Sequence, residues 1–360
     1  MSNPIKIGLV GLGRAGWGMH LNELKNKKDQ FEVAAVCDIL PERTAMAQER
    51  LGCRTYGSID ELLQDDEVEL VDIATRTCDH YEHAVKALEA GKHVLLEKPA
   101  CMSVELMRDL YARANKPGLP RLFVRQNRRF EVVFNRFLDT VRSGKLGNVF
   151  EIQIAQMGYQ RRDDWQTIAA FGGGQILNWG PHIIDQALVL LDAPVTETAC
   201  ERTLAAAGGD CEDHFSVALR GENGRKVNLW ISGSAALNGG RRYTAYGDRG
   251  SMECCNNELV TRYIDPAQEL PPVVADPGTP AMSFGTSGTF AAAVEPRWIE
   301  EHDRVTAEDL SVIWNYLYES LRNGAPYPIR DEEIIRLMQV ITDARHTPLI
   351  KAKAIGEDSI

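Results

Sequence analysis

The sequence predicts an α/β protein in two parts. The first is an N-terminal doubly wound parallel sheet over residues 1–123, and the second is a C-terminal α/β domain over residues 124–360 whose sheet is open and largely antiparallel. Three observations predict this. Short apolar runs alternate with helical segments through the first third of the chain, as in a parallel sheet. Beyond Phe130 the strand-like runs lengthen and are separated by Gly-Asn, Asn-Gly and Asp-Arg-Gly turns, as in a sheet built from hairpins. The length, 360 residues, exceeds what one core usually serves.

Ile5–Val10 is the first strand. It runs into Gly11–Leu12–Gly13–Arg14–Ala15–Gly16, and a helix is expected over Trp17–Lys27. A G-x-G-x-x-G carries weight only between a strand and a helix, which is its place here. Gly11 permits the tight turn, Gly13 lets the backbone approach a pyrophosphate, and Gly16 lets helix and strand pack. The pyrophosphate would meet the free N–H groups of the loop and helix start around Arg14 and Ala15. This is a Rossmann dinucleotide pattern.

Val33–Cys37 is the second strand and ends in Asp38, 22 residues past Gly16 (38 − 16). A carboxylate there accepts hydrogen bonds from ribose hydroxyls and repels a 2′-phosphate, which favours NAD over NADP. Asp38 can also be read as a surface residue opening the turn Ile39–Leu40–Pro41. Arg43 stands near enough in sequence to accommodate a 2′-phosphate.

Helices follow at Pro41–Leu51 and Ile59–Leu63, then a third strand at Leu70–Ala74 leading into Thr75–His80. Tyr81–Ala90 is helical and stops at Gly91. His80 and His83, read on spacing alone, are loop and helix-surface residues. His93–Leu96 is a buried strand that meets Glu97–Lys98–Pro99. Burying Glu or Lys is costly without a partner. The pair is therefore surface punctuation or a working group at a cleft edge, where open α/β sheets bind ligands. Ser103 is expected to cap a helix running to Asn115, and Arg121–Arg125 is one more strand.

The second part opens with a helix over Glu131–Ser143. Strands are expected at Asn148–Met157, Val195–Leu204, His214–Arg220, Lys226–Ser232, Arg242–Tyr246 and Glu258–Ile264. Helices His182–Leu191, Thr306–Arg322 and Asp331–Ala344 are expected to cover their sheet, and Asp265–Glu295 reads as a long loop. The stretch Gly172–Asp185 is the second informative one. Its three glycines allow close backbone approach, and Pro181 suits a first helical turn. Asn178, His182 and Asp185 are three or four apart, so they share a face if the helix extends back that far. A lone histidine there is more often structural. With Asn and Asp flanking it, and Lys98 available, a catalytic role is the stronger reading. Arg161, Arg162, Asp164 and Trp165 can meet a sugar through an aromatic face and hydroxyl-binding charges. Core packing is the equal alternative for Trp165.

The net charge of −11 argues against a nucleic-acid partner. No apolar run reaches membrane-spanning length. Met1–Ser2–Asn3–Pro4 runs straight into a strand, with no secretory signal. The eight cysteines lack C-x-x-C spacing, so no metal site is expected and a reducing cytoplasm fits.

The G-x-G-x-x-G, the segment Glu89–Ala100 and the tri-glycine stretch ending in His182 and Asp185 together resemble the Gfo/Idh/MocA family of nicotinamide-dependent sugar and cyclitol oxidoreductases. The resemblance covers nearly the whole chain, and its middle segment is specific to the family. It implies Lys98 beside the nicotinamide, Glu97 lining the cofactor site, and Thr75, His80 and Asn127 at the dinucleotide. It also implies that the lysine–proline bond is often cis. The second sheet often forms a dimer face, so a homodimer or homotetramer is expected. The implied reaction is hydride transfer between a ring secondary alcohol of a sugar and NAD. His182 is the expected base, since its ordinary pKa lies near neutrality. Lys98 holds the hydroxyl as a cation, or serves as the base if its pKa is depressed. Two departures stand out. Asn178 replaces the Asp of many relatives and cannot take a proton, and Arg76 replaces a usual Pro. Two other readings are a glycoside-cleaving enzyme that retains NAD and a catalytically silent dinucleotide-binding sensor.

Overall fold

The computed structural model describes residues 3–237, 240–275, 277–278, 294–307 and 309–352. Most of the expected loop over Asp265–Glu295 (276 and 279–293) lies outside the described residues. The first sheet comprises β1 (Ile5–Val10), β2 (Phe31–Cys37), β3 (Arg54–Tyr56), β4 (Leu70–Ile73), β5 (His93–Leu96) and β6 (Leu122–Val124). Their spatial order is β3-β2-β1-β4-β5-β6, and every pair is parallel. The central strands are apolar and covered on both faces, as a parallel sheet requires. Register aligns Val10 with Cys37 and Ile73, and Leu96 with Ile73 and Val124. Whatever follows these residues is delivered to one edge of the sheet.

The helix expected over Trp17–Lys27 is shorter and irregular. A π-helical turn at Gly16–His20 precedes α1 (Leu21–Leu24). Gly16 and Gly18 are weak helix formers, and the wide turn carries His20 into the interior, where it is fully buried. Helices α2 (Pro41–Leu51), α3 (Ile59–Leu62), α4 (His80–Glu89) and α5 (Val104–Arg113) complete this half. Ser103 stands at the start of α5 but makes no side-chain cap. The Val104 N–H instead donates to Thr342 Oγ1 at 2.9 Å.

After α6 (Val132–Arg142) the second sheet is built from β7 (Val149–Met157), β8 (Val195–Leu204), β9 (His214–Gly221), β10 (Lys226–Ser232), β11 (Arg241–Gly247), β12 (Gly250–Cys255), β13 (Glu258–Ile264), β14 (Trp298–Arg304) and β15 (Leu349–Lys351). Among the described residues the order is β14-β13-β12-β11-β7-β10-β9-β8-β15. Only β7–β10 and β8–β15 run parallel. Strands β3, β12, β14 and β15 escaped the sequence reading. Two are three residues long, β12 opens on a glycine, and β14 is a charged edge strand without alternation.

Helices α7 (Gln175–Asn178) and α8 (Gly180–Leu191) join β7 to β8, and α8 packs on β7, β9 and β10. Of the last two helices, α10 (Asp331–His346) packs on α8, α5 and β8. Helix α9 (Val312–Arg322) does not cover this sheet, contrary to expectation. It returns to the first one. Trp314 meets Phe31 and His20 edge-on, Lys27 Nζ donates to Asn315, and Arg322 pairs with Glu69. The bulky apolar face of α9 is what drives this docking. Among the described residues no helix packs on the other face of the second sheet, and that face is not apolar. Opposite the buried Ile152, Ile154, Val227 and Leu229 it presents Glu151, Gln153, Ala155, Asn228 and Trp230, with Glu151 accepting from both Gln153 and Asn228.

Candidate active site

Because the parallel strands end in register, Gly11, Asp38, Thr75, Glu97 and Arg125 lie along one sheet edge. A cleft of about 670 Å³ follows that edge and continues beneath the tri-glycine stretch of the second half. Its size suits a small-molecule site. Gly11 has φ +96°, and a Cβ on it would lie 2.7 Å from Ala74 O. A Cβ on Gly13 would meet nothing within 4 Å, so that loop keeps open the space a pyrophosphate needs. Gly16 packs beneath, where a Cβ would lie 2.0 Å from Gly11 O. Arg14 and Ala15 line the cleft beside the loop. Asp38 accepts from Leu12 N at 2.7 Å through Oδ2 and from Leu40 N at 3.0 Å through Oδ1. Arg43 Nη1 lies 3.4 Å from Oδ2, so its charge is opposed by the carboxylate. The residues present fit a dinucleotide.

Further along, β5 delivers Glu97 and Lys98, and the Lys98–Pro99 bond is cis. Glu97 is buried yet fully engaged. Oε1 accepts from Arg125 Nη1 at 2.8 Å and His20 Nε2 at 2.9 Å, and Oε2 accepts from Lys98 N at 2.9 Å. Burial alone would raise its carboxyl, but Arg125, His20 and Lys98 outweigh it and hold Glu97 well below the usual range. His20 Nδ1 meets Asp72 Oδ2 at 2.7 Å. Burial works against a charged His20, but the flanking carboxylates lift it to about 9 despite Arg125. It is therefore an imidazolium donating from both ring nitrogens. Arg125 continues the chain to Glu23 at 2.6 Å, and Glu23 also accepts from Trp314 Nε1. Sequence reading missed His20, Asp72 and Arg125. A histidine four residues past Gly16 was the available signal.

Lys98 Nζ donates to the Asn178 carbonyl at 3.0 Å. Burial, with Arg128, Arg125 and Arg14, pulls its pKa from 10.5 to about 8, although Glu97 opposes the shift. His182 lines the same end of the cleft. Burial, then Lys98 and Arg128, hold it well below 6.5. Its Nδ1 is shut from solvent and has no hydrogen-bond partner among the described residues. Arg128, not foreseen, stacks 4.5 Å over Trp179, which meets His182 edge-on. It is anchored by Glu131, as are Arg242 and Gln186.

The structure corrects several sequence expectations. Asn178 and His182 both face the cleft, Asn178 closing α7 and His182 in the first turn of α8, with the right-handed Trp179 joining the two. Asp185 does not join them; Arg129 grips it bidentately and also binds Glu333. His80 is not a surface residue. It is buried, with Nδ1 2.8 Å from Pro99 O and Nε2 3.2 Å from Thr75 O. Burial lowers its pKa, although the two carbonyls it faces and Glu97 oppose the shift. His80 thus braces the turn after Lys98. Thr75 and Asn127 line the cleft, as do Arg162, Asp164 and Trp165. Arg161 does not: in the extended segment Gln160 and Arg162 face the cleft and Arg161, between them, is exposed. Arg76 lies 4.8 Å over the Phe171 ring and so joins the two sides of the cleft.

A dinucleotide cradle at the switch point of a doubly wound sheet, facing a lysine and a histidine, defines an NAD-binding oxidoreductase. Residues 5–125 match the family described as "Oxidoreductase family, NAD-binding Rossmann fold", and residues 134–253 match the "GFO/IDH/MocA C-terminal domain". The chain belongs to the Gfo/Idh/MocA oxidoreductases. It is 34% identical over 262 residues to an uncharacterised oxidoreductase of Schizosaccharomyces pombe, covering 69% of this chain and 70% of that one. It is 26% identical to the scyllo-inositol 2-dehydrogenase (NADP(+)) IolW of Bacillus subtilis, over 95% and 93% of the two chains. Identity to the D-glucoside 3-dehydrogenase of Escherichia coli is also 26%, over 66% and 72%. Among solved structures, an NAD-binding protein from Listeria innocua superposes with TM-score 0.79 at 26% identity, over 95% of this chain and 97% of that one.

Proposed function

We propose that the protein transfers a hydride between a ring secondary alcohol of a sugar or sugar derivative and NAD. The observation that supports this best is the placement of Lys98 and His182 at the cleft end beyond the glycine loop. When bound, the dinucleotide supplies the hydride acceptor. Lys98, held near 8, is partly neutral at working pH. As an amine it donates to Asn178 O and keeps a lone pair for the substrate's hydroxyl proton. As a cation it stabilises developing alkoxide. His182 stays neutral and orients the hydroxyl. The expected division of labour between the two is thereby reversed. Arg128 adds positive field where negative charge develops, while the Asn178 amide, Arg162, Asp164 and Trp165 wall the sugar.

Asp38 supports NAD over NADP, because its carboxylate faces the cleft and offsets Arg43. The names of two relatives, an inositol dehydrogenase and a glucoside dehydrogenase, support a ring alcohol as substrate. The other face of the second sheet carries Ala155 and Trp230 among its polar side chains, and pairing of two copies across it is part of this proposal. The test is turnover of a panel of sugars, glycosides and cyclitols with NAD, followed by nicotinamide absorbance and product mass. Binding of NAD with no turnover of any member would reject the dehydrogenase in favour of a sensor. Glycoside cleavage without net absorbance change would favour retention of NAD.

A further inference from the structure

A small side pocket opens beside the reacting end of the cleft. Gln160, Arg162, Gln166 and Asn178 line both spaces, and Gln175 and Glu212 close the pocket. Its volume, about 20 Å³, suits one water-sized group. Gln175 is only 7% exposed. Its amide oxygen is shut from solvent and has no hydrogen-bond partner among the described residues. Buried amide oxygens are nearly always paired, so this one has an acceptor position that a substrate hydroxyl or a water in the pocket can fill. Glu212, whose backbone carbonyl accepts from Gln175 N at 3.1 Å, is 5% exposed. Its Oε1 accepts from Ile176 N at 3.0 Å, and Oε2 lies 3.6 Å from Arg202. A Cβ at Gly174 would come within 2.3 Å of Glu212 Oε1, so only glycine leaves that carboxylate at the pocket wall.

We propose that this pocket is a specificity subsite taking one substrate hydroxyl, near the hydroxyl that is oxidised, with Gln175 as the residue that reads it. The inference rests on the sugar-dehydrogenase reading above. A hydroxyl donates and accepts, as the amide does. An anionic substituent would meet the carboxylate of Glu212, and an apolar one would leave Gln175 unpaired. Nearness to the reaction follows from Asn178, whose carbonyl holds Lys98 Nζ and which lines both spaces. A site built to hydrogen-bond a hydroxyl discriminates against the analogue that lacks it.

The experiment begins with D-glucose, methyl β-D-glucopyranoside, D-galactose, myo-inositol and scyllo-inositol, each with NAD. The member that wild type oxidises fastest is then compared with its monodeoxy analogues. One position other than the oxidised carbon should lose roughly 10-fold in kcat/KM, the size of one neutral hydrogen bond. Gln175→Leu should reduce the parent by a similar factor and leave that one deoxy analogue unchanged. Gln175→Met is the second variant if leucine packs poorly, and both should melt near wild type, since they remove a buried amide oxygen that has no protein partner. Equal losses for parent and all analogues, or no loss at all, would mean that the pocket holds only water and would overturn the proposal while the dehydrogenase reading stands. If wild type oxidises no member, that reading fails and the subsite falls with it.

Discussion

Which side chain takes the proton can be settled from the pH dependence of alcohol oxidation. At pH 7.5 a lysine held at about 8 is roughly 25% neutral, against roughly 0.1% at 10.5. The environment of Lys98 thus supplies roughly 250-fold more free base than an ordinary lysine. His182, held well below 6.5, is already neutral there and contributes no limb near 8. We therefore expect kcat/KM for oxidation to rise through about 8 and level off above it. Lys98→Met should remove the limb and cost roughly 10²–10⁴-fold, the usual worth of general acid–base catalysis. His182→Ala should lower the plateau and keep the limb. Arg128→Gln removes a cation that depresses Lys98, alongside Arg125 and Arg14, so the limb should move to higher pH. Calorimetry with NAD should show each variant binding dinucleotide nearly as wild type does. A limb near 8 that survives Lys98→Met, or disappears in His182→Ala, would refute the assignment of Lys98 and return the base to His182.

Three more expectations follow from the same geometry. Asp38→Ser should weaken NAD and strengthen NADP by freeing Arg43, as titration calorimetry with both dinucleotides will show; tighter NADP binding by wild type would remove the preference argued here. His20, lifted from 6.5 to about 9 in the fold, stabilises fully below 6.5 and loses that contribution as pH rises through about 9. The contribution is on the order of 3 kcal/mol; unfolding free energy should fall over that window in wild type, and His20→Gln should flatten the fall, whereas an unchanged slope would mean that His20 is not a cation. If two copies pair across the face of the second sheet that carries Trp230, light scattering should find a dimer or tetramer at micromolar concentration that Trp230→Lys dissociates, and a wild-type monomer would reject the pairing.

The parts of the site that were legible in the sequence are those whose chemistry is local. The glycine loop, Asp38 at a strand end, the Glu-Lys-Pro turn and the tri-glycine stretch each declare their backbone needs within a dozen residues. The partners of these groups lie far away in the chain. His20 meets Asp72 across 52 positions and Glu97 across 77, and Asp185 is taken by Arg129 across 56. Helical spacing placed Asp185 with His182, but spacing says only which residues share a face, not which cation competes for them. The return of α9 to the first sheet was hidden for the same reason: its apolar stripe announces burial without naming the surface.

The most consequential of these unseen contacts is the buried chain from Asp72 through His20 and Glu97 to Arg125. Lys98 can be a useful base only if its pKa falls, and an unpaired Glu97 one residue away would push it up. Three donors on the Glu97 carboxylate offset part of that effect, and Arg128 and Arg14 add to the lowering. Yet Glu97 must remain, because its Oε2 holds the Lys98 backbone N–H and so fixes where the side chain leaves the strand. The carboxylate orients the lysine, and the cations around it leave the lysine basic enough to accept a proton and acidic enough to be free when the alcohol arrives.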